Sequence, residues 1–436
     1  MARSGTGSTA TQNAPMKLRI LICAYACMSD VGSTRPGGGD LMAWNMIRAL
    51  SRVHRLWVLT AAQNRPAIEA ALRTEPLPQV TFVYVSLPRV LDPLLKSQGA
   101  LQFYAYLWQW KAYFVAKKLH RQVHFELFHH LTYENDWMAS IIGALLPVPY
   151  VRGPGGGAHR IPPAFLEEFS TGERVADWRR EYGQWGFRHD PFFLLSHSRA
   201  RAILVCNQEA WEAMPARWKH KTQLMTVNGV AKEFLRDSSA PETQGHRFEI
   251  LSAGRLIRLK GFDLAIRGFK LFSAQVADSQ LTIVGDGPDL SRLQGLVSQL
   301  GLEGRVRFET WMPREDLLGK MRSCDVFLFT SLRDGGGLVV VEAMASGKPV
   351  VCLDLAGPAF HITEECGIKL PARSPGEVIE LMPQALERLY RDRELRVKMG
   401  QAGRARAEKG YTWDYLGERI LELYEEVLGA NSHGAS

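Results

Sequence analysis

Residues 330–351 read TSLRDGGGLVVVEAMASGKPVV. The run DVFLFT (325–330) leading into them has the composition of a buried strand, Gly335, Gly336 and Gly337 follow, and helical spacing begins near Leu338. A strand that gives way to a glycine-rich loop and then to a helix lets a ligand approach the backbone. The first helical turn adds unpaired N–H groups and the positive end of the helix dipole, which suit a phosphate. Asp334 in the loop and Glu342 in the helix can reach different parts of one ligand, since carboxylates accept hydrogen bonds from vicinal hydroxyls such as those of a sugar or a ribose. Glu342 lies in the apolar setting VVVEAMA, where a carboxylate needs a partner.

The same alternation extends in both directions. FEILSAG (248–254), LTIVGDG (281–287), VRFETW (306–311) and PVVCLD (349–354) are further strand-like runs separated by amphipathic segments. Upstream, LRILICAY (18–25), RLWVLTA (55–61), TFVYVSL (81–87), FELFHHL (125–131), VPYVRG (148–153), AILVCN (202–207) and LMTVNG (224–229) repeat the pattern. Continuous apolar runs alternating with helices predict parallel sheets covered on both faces. The chain is therefore an α/β protein of two Rossmann-like doubly wound units in tandem, 16–228 and 247–410, joined by a Ser- and Pro-containing linker at 229–246. Trp413, Leu416, Ile420, Leu423 and Val427 make one apolar stripe on a terminal helix at 411–428. Residues 1–15 and 429–436 read as polar tails, the first without the apolar segment of a signal peptide.

Ligands of open α/β sheets sit beyond the carboxyl ends of the strands, so two facing sheets define a cleft. At the end of FEILSAG the segment SAGRLIRLKGFD holds Arg255 and Lys260 on one loop, a pair suited to neutralising a diphosphate.

Charge is uneven. Residues 1–228 contain 26 basic and 16 acidic residues, +10, against 27 and 29 in 229–436, −2. That suits an anionic partner for the first half and decides nothing about the fold. Six cysteines are too few for a disulfide scaffold, and reduced, buried thiols point to a reducing compartment. Cys23 and Cys27 lack a second pair at zinc spacing, so no metal site is expected. No uninterrupted apolar run of membrane-spanning length occurs. In YAYLWQWKAYFVAKKLHRQ (104–122), Trp108, Trp110, Tyr113 and Phe114 interleave with Lys111, Lys117, Lys118 and Arg121. The segment reads either as a helix lying in a membrane interface or as one packed on the first sheet.

Several of these motifs resemble the retaining glycosyltransferases of family four, the group 1 glycosyltransferases, over about 247–355. Gly254, Arg255, Leu256, Lys260 and Gly261 match the family's G-R-L…K-G element, and Val284 to Pro288 its V-G-D/E-G-P segment. Its E-x7-E signature and the following A-M-A-x-G-x-P-V-V run match up to Val351, with Glu342 as the second glutamate and Asp334 in place of the first. The resemblance implies the GT-B fold and transfer of a sugar, with retention, from a nucleotide-diphosphate sugar to a glycan, glycolipid or lipid-linked hydroxyl in envelope or exopolysaccharide synthesis. It further implies that Asp334 lies by the donor sugar, that Glu342 takes the ribose, and that Leu338 and Val339 offer amides to the diphosphate. More weakly, Gly37, Gly38 and Gly39 resemble the family's donor-phosphate loop. His129 or His130 resembles its H-x-H element, only one being able to face the sugar, and VRGPGGGAH (151–159) resembles an acceptor-side loop.

Gly153, Gly155 and Ala158 formally match a dinucleotide fingerprint, but Pro162 and Pro163 follow where a helix should open. A pyridoxal-dependent phosphorylase would need a lysine that nothing but Lys348 offers, and no P-loop, H-E-x-x-H or D-x-D is present. The expectation is thus a metal-independent transferase without cofactor, with a nucleotide-sugar donor and no nucleic-acid partner. Its expected place is the cytoplasm, peripherally on the inner face of the membrane if an anionic surface is bound. The alternative is a protein that binds a nucleotide sugar without turnover.

Overall fold

The computed structural model describes residues 17–29, 37–96, 98–132, 137–157, 159–236 and 247–429. The two terminal tails and the second part of the expected linker, 237–246, lie outside the described residues.

Among the described residues, thirteen parallel strands form two sheets. The first contains β1 (Arg19–Ala24), β2 (Arg55–Ala61), β3 (Val80–Val85), β4 (Leu127–Thr132), β5 (Tyr150–Gly155), β6 (Ala202–Val205) and β7 (Thr222–Leu224), in the order β3-β2-β1-β4-β5-β6-β7. The second contains β8 (Phe248–Ala253), β9 (Ser279–Val284), β10 (Val306–Glu309), β11 (Val326–Phe329), β12 (Val350–Leu353) and β13 (Gly367–Leu370), in the order β10-β9-β8-β11-β12-β13. Val, Ile, Leu and Phe fill these strands because helices cover both faces; β11 and β12 have no exposed position. Each order reverses once, at β1/β4 and at β8/β11, and such a reversal opens a crevice at the carboxyl ends.

The structure departs from the sequence reading in several places. The expected strand at 224–229 is shorter and earlier: past Leu224 the backbone turns, with the Thr226 hydroxyl accepting from the Asn228 N–H at 3.1 Å. Gly38 and Gly39, expected in a loop, open a helix instead, which runs from Gly38 to Ser51 with Gly37 as N-cap. Strand β13 escaped notice because GIKL offers too short an apolar run. The start of the linker is ordered: the Val230 N–H donates to the Tyr411 carbonyl (2.8 Å) and the Trp413 N–H to that of Val230 (3.2 Å), so the two passages between the sheets run side by side. Finally, Ile161, Phe165 and Phe169, which follow β5, pack into the core of the second sheet, and Glu168 pairs with Arg267 at 3.0 Å. The boundary between the units therefore does not follow the sequence at 228 alone.

The terminal helix Trp413–Gly429 leaves the second sheet and buries Trp413, Leu416, Ile420, Leu423, Tyr424 and Val427 among Ile20, Ile22, Met46 and Leu204 of the first. Gly417 permits this approach, because a Cβ there would stand 2.6 Å from that of Ala49. Six buried side chains at ~1.5–3 kcal/mol each amount to as much as the whole stability of an ordinary domain. Truncation before Trp413 should therefore give insoluble protein or abolish the cooperative melt followed by circular dichroism; an unchanged melting point would mean that the helix is dispensable.

Candidate active site

The β8/β11 reversal is where the motif residues meet. Past β8 the chain makes a short 3₁₀ turn, Arg258–Lys260, and closes it at Gly261, whose φ is +61°. A Cβ at Gly261 would come within 2.2 Å of the Thr330 carbonyl oxygen, so the two loops can touch only with glycine there. The contact is sealed by the Leu332 N–H donating to the Leu259 carbonyl at 2.9 Å. Lys260 is thereby aimed at the loop after β11, where its ammonium pairs with Oδ2 of Asp334.

The other oxygen of Asp334 accepts from the Gly337 N–H at 2.7 Å and from that of Gly336 at 3.3 Å. Burial alone would raise this carboxyl, but the charge and hydrogen bond of Lys260 and the Gly337 amide outweigh it and hold it below its usual range. Gly337 then adopts φ +69° and caps the helix Leu338–Ala345. The Leu338 and Val339 N–H groups open its first turn, where no helix carbonyl precedes them. One turn deeper, Glu342 is 2% exposed, and its carboxylate stands 2.6 Å from the Arg314 guanidinium, the partner its apolar setting demands. Arg255 is exposed on the rim.

The glycine loop also faces the first sheet. The Gly335 carbonyl accepts from the Asn207 side chain at 3.0 Å, just past β6, and the Gly336 carbonyl from His361 Nε2 at 2.5 Å. Arg333 pairs with Asp177 of the helix Thr171–Arg188, and Glu209 accepts from the Ala356 N–H at 3.0 Å. The carboxyl ends of the two sheets thus meet across this loop. His159, on the loop after β5, completes the enclosure: it is 8% exposed, its Nδ1 has no hydrogen-bond partner, and its ring borders Gly335. Burial, then the nearby Arg180 and Arg333, lower its pKa to about 4 despite Asp334. The sequence reading reached His159 only as the end of a glycine-rich loop and gave it no role.

The expected histidines behave differently. Both ring nitrogens of His129 are used at 2.6 Å, one by the Tyr424 hydroxyl of the terminal helix and one by the Gly153 carbonyl, so the geometry makes it a structural bridge and not a group open to a donor. His130 is buried and hydrogen-bonded to Ser140 Oγ at 2.7 Å. Gly38 and Gly39 are exposed, with open space around both; the preceding residues 30–36 lie outside the described ones. All six cysteines are buried and free.

Residues 234–406 match the family model described as Glycosyl transferases group 1. This segment is similar to the group 1 glycosyl transferases. A relative named D-inositol 3-phosphate glycosyltransferase, from Corynebacterium jeikeium, is 32% identical over 189 residues, 42% of this chain and 44% of that one. The lipopolysaccharide core biosynthesis glycosyltransferase LpsE of Rhizobium meliloti is 26% identical over 240 residues, 54% of this chain and 66% of its own. The chain thus spans about half the length of the curated relatives it matches. Among solved structures, sucrose-phosphate synthase from Thermosynechococcus elongatus superposes with a TM-score of 0.65 at 20% identity, covering 95% of this chain and all of that one. Anabaena Alr3699/HepE in complex with UDP does so with 0.63 at 19%, covering 94% and 100%. The fold is that of the GT-B glycosyltransferases, and the group 1 match contains Asp334, Glu342 and Lys260.

Burial also lowers His129 and His361 to about 4, as it does His159. Because the folded chain binds these protons less readily than the unfolded one, stability is full above the unfolded value near ~6.5 and is lost as pH falls towards 4. At pH 5 each imidazole should account for ~2 kcal/mol of that loss. A melting temperature that falls steeply from pH 7 to 5, with a shallower slope in His159→Gln, is the expected result.

Proposed function

We propose that the protein is a retaining glycosyltransferase that moves a sugar from a nucleotide-diphosphate donor to a hydroxyl of a glycan, glycolipid or lipid-linked acceptor. The observation that carries this reading is the placement of Asp334 between Lys260 and the start of the helix Leu338–Ala345, at a strand-order reversal that faces the other sheet. Donor diphosphate oxygens would take Lys260, Arg255 and the Leu338 and Val339 amides, with the helix dipole favouring the same charge. Glu342, held by Arg314, would accept from the ribose hydroxyls. Asp334 would lie against the sugar, where positive charge develops at the anomeric carbon as the diphosphate leaves.

The acceptor would approach from the first sheet, where His159 and the loop after β5 stand. A role in surface-polysaccharide synthesis is supported by the name of the Rhizobium relative. A location in the cytoplasm, with contact to the inner membrane face, is part of the same proposal. Among the described residues no helix is long and apolar enough to cross a membrane. The interfacial reading of 104–122 weakens, because Trp108 is fully buried, its Nε1–H donating to the Val85 carbonyl at 2.9 Å, while Trp110 rests on Phe192. Phe114, Lys117 and Lys118 remain exposed for such a contact.

The two carboxylates separate the roles. Asp334→Ala should lower kcat by about 100-fold or more without weakening donor binding, the mark of an interaction made in the transition state. Glu342→Ala should weaken donor binding by about tenfold or more while preserving kcat at saturation, since a ribose contact is equal in ground and transition states. The reverse pattern would exchange the assignments, and NMR of the first-formed product should show the anomer of the donor; inversion would end the proposal. With cations supplied by Arg255 and Lys260, EDTA is expected to leave turnover nearly unchanged. Loss of activity that Mn²⁺ restores would place a metal in the reaction.

A further inference from the structure

The glycine loop that carries Asp334 is backed by a short helix, Ala356–His361, which follows β12. At its start the Gly357 N–H donates to the Asp334 carbonyl at 3.1 Å. A Cβ at Gly357 would stand 2.5 Å from the Gly335 carbonyl oxygen, so helix and loop are in direct contact. At its end lies His361, which is fully buried. Its Nε2 meets the Gly336 carbonyl at 2.5 Å and its Nδ1 the Tyr411 hydroxyl at 3.2 Å.

These two partners fix the tautomer. A carbonyl can only accept, so Nε2 carries the proton, and Nδ1 is left to accept from the Tyr411 hydroxyl. Burial keeps the ring neutral at ordinary pH by lowering its pKa to about 4. Tyr411 is anchored where the two passages between the sheets run side by side, its carbonyl accepting from the Val230 N–H at 2.8 Å. Its ring meets that of His361 edge to face, with centroids 5.2 Å apart. The Gly336 carbonyl and the Gly337 N–H are the two ends of one planar peptide group and point in opposite directions. His361 holds one end, and the other donates to Asp334 at 2.7 Å. Turning this peptide would break both bonds together, and a glycine on each side makes such a turn easy.

We propose that His361 is a positioning residue that acts on Asp334 through this peptide, keeping the Gly337 N–H turned towards the carboxylate, while Tyr411 ties the grip to the passages between the sheets. The task of Asp334 comes from the transferase reading, on which this role in turnover rests; the grip on its loop does not depend on it. Were a diphosphate to draw Lys260 away, the two glycine amides would be the hold that remains on Asp334.

Hydrogen exchange of the full chain, followed by mass spectrometry on the peptide that contains Gly337, tests the grip without any substrate. His361→Phe keeps a buried ring but cannot donate to Gly336, and it should speed exchange there by about tenfold or more while the first sheet exchanges as in the wild type. His361→Gln, whose amide can donate to the same carbonyl, should exchange more slowly than His361→Phe. Tyr411→Phe, which removes only a hydroxyl, serves if His361→Phe does not fold and should show a smaller increase in the same peptide. Exchange at Gly337 equal to that of the wild type, or an increase spread evenly over the second sheet, overturns the proposal. Turnover of UDP-glucose, UDP-galactose and GDP-mannose then reads the role. His361→Phe should lower kcat by about tenfold or more with donor Kd within about threefold, and His361→Gln should recover most of the loss. In Asp334→Ala the same replacement should lower kcat no further, because His361 acts through Asp334. A loss confined to donor binding, or one that adds to that of Asp334→Ala, overturns the positioning role. A wild type that turns over none of the three counts against the transferase reading, and the exchange result then decides the grip by itself.

Discussion

The placement of one carboxylate organises this molecule. Asp334 is gripped on one side by the Lys260 ammonium and on the other by the Gly336 and Gly337 N–H groups, and each grip depends on a backbone only glycine adopts readily. Gly261 lets the lysine loop touch the strand end at Thr330, and Gly337 turns the chain so that a helix can start. Together they tie the carboxyl ends of β8 and β11 into one rigid corner. With Asp334 fixed, the carbonyls of Gly335 and Gly336 point elsewhere, towards Asn207 and His361.

Two sets of contacts join the sheets, and they differ in kind. Beside the chain crossings, Val230, Tyr411 and Trp413 share backbone hydrogen bonds, and the terminal helix buries an apolar stripe in the first core. Those contacts are costly to break. Across the cleft the loop after β11 is linked by polar contacts, Arg333 with Asp177 and Asn207 with Gly335, as is Glu209 with Ala356, while Ile161, Phe165 and Phe169 carry an apolar contact into the second core. The polar links exchange readily for a ligand that offers equivalent groups.

The sequence made the sheets legible because strands buried on both faces leave continuous Val, Ile, Leu and Phe runs, and it made the Asp334 loop legible because glycines mark the two places where the backbone must come close. What stayed hidden depends on distant residues. The role of His129 is set by Tyr424, 295 positions away, which no local pattern announces. The partner of Glu342 is Arg314, one arginine among many with nothing to distinguish it. Ile161, Phe165 and Phe169 looked like part of the first unit because they follow its fifth strand, yet apolar side chains at a carboxyl end can cross a narrow cleft and join the opposite core.

The ion pair at the centre also bears on how a diphosphate would be received. Before a donor arrives, the Lys260 charge is already balanced by Asp334, and the second half of the chain carries a net −2. An incoming diphosphate must therefore compete with Asp334 for the ammonium, helped by the helix amides that Asp334 does not use. A lysine, as a point charge with three donors, can turn from one oxygen to another in a way that a bidentate arginine cannot. On the proposed reading, the exchange would leave Asp334 held by its two glycine amides and deprived of its cation as the sugar came into reach. Its carboxylate would then have acceptor capacity to offer a sugar hydroxyl, and the interaction would strengthen as positive charge grew at the anomeric carbon. One pair would thus serve both states, keeping the loop formed while the cleft is empty and releasing a carboxylate when a donor fills it.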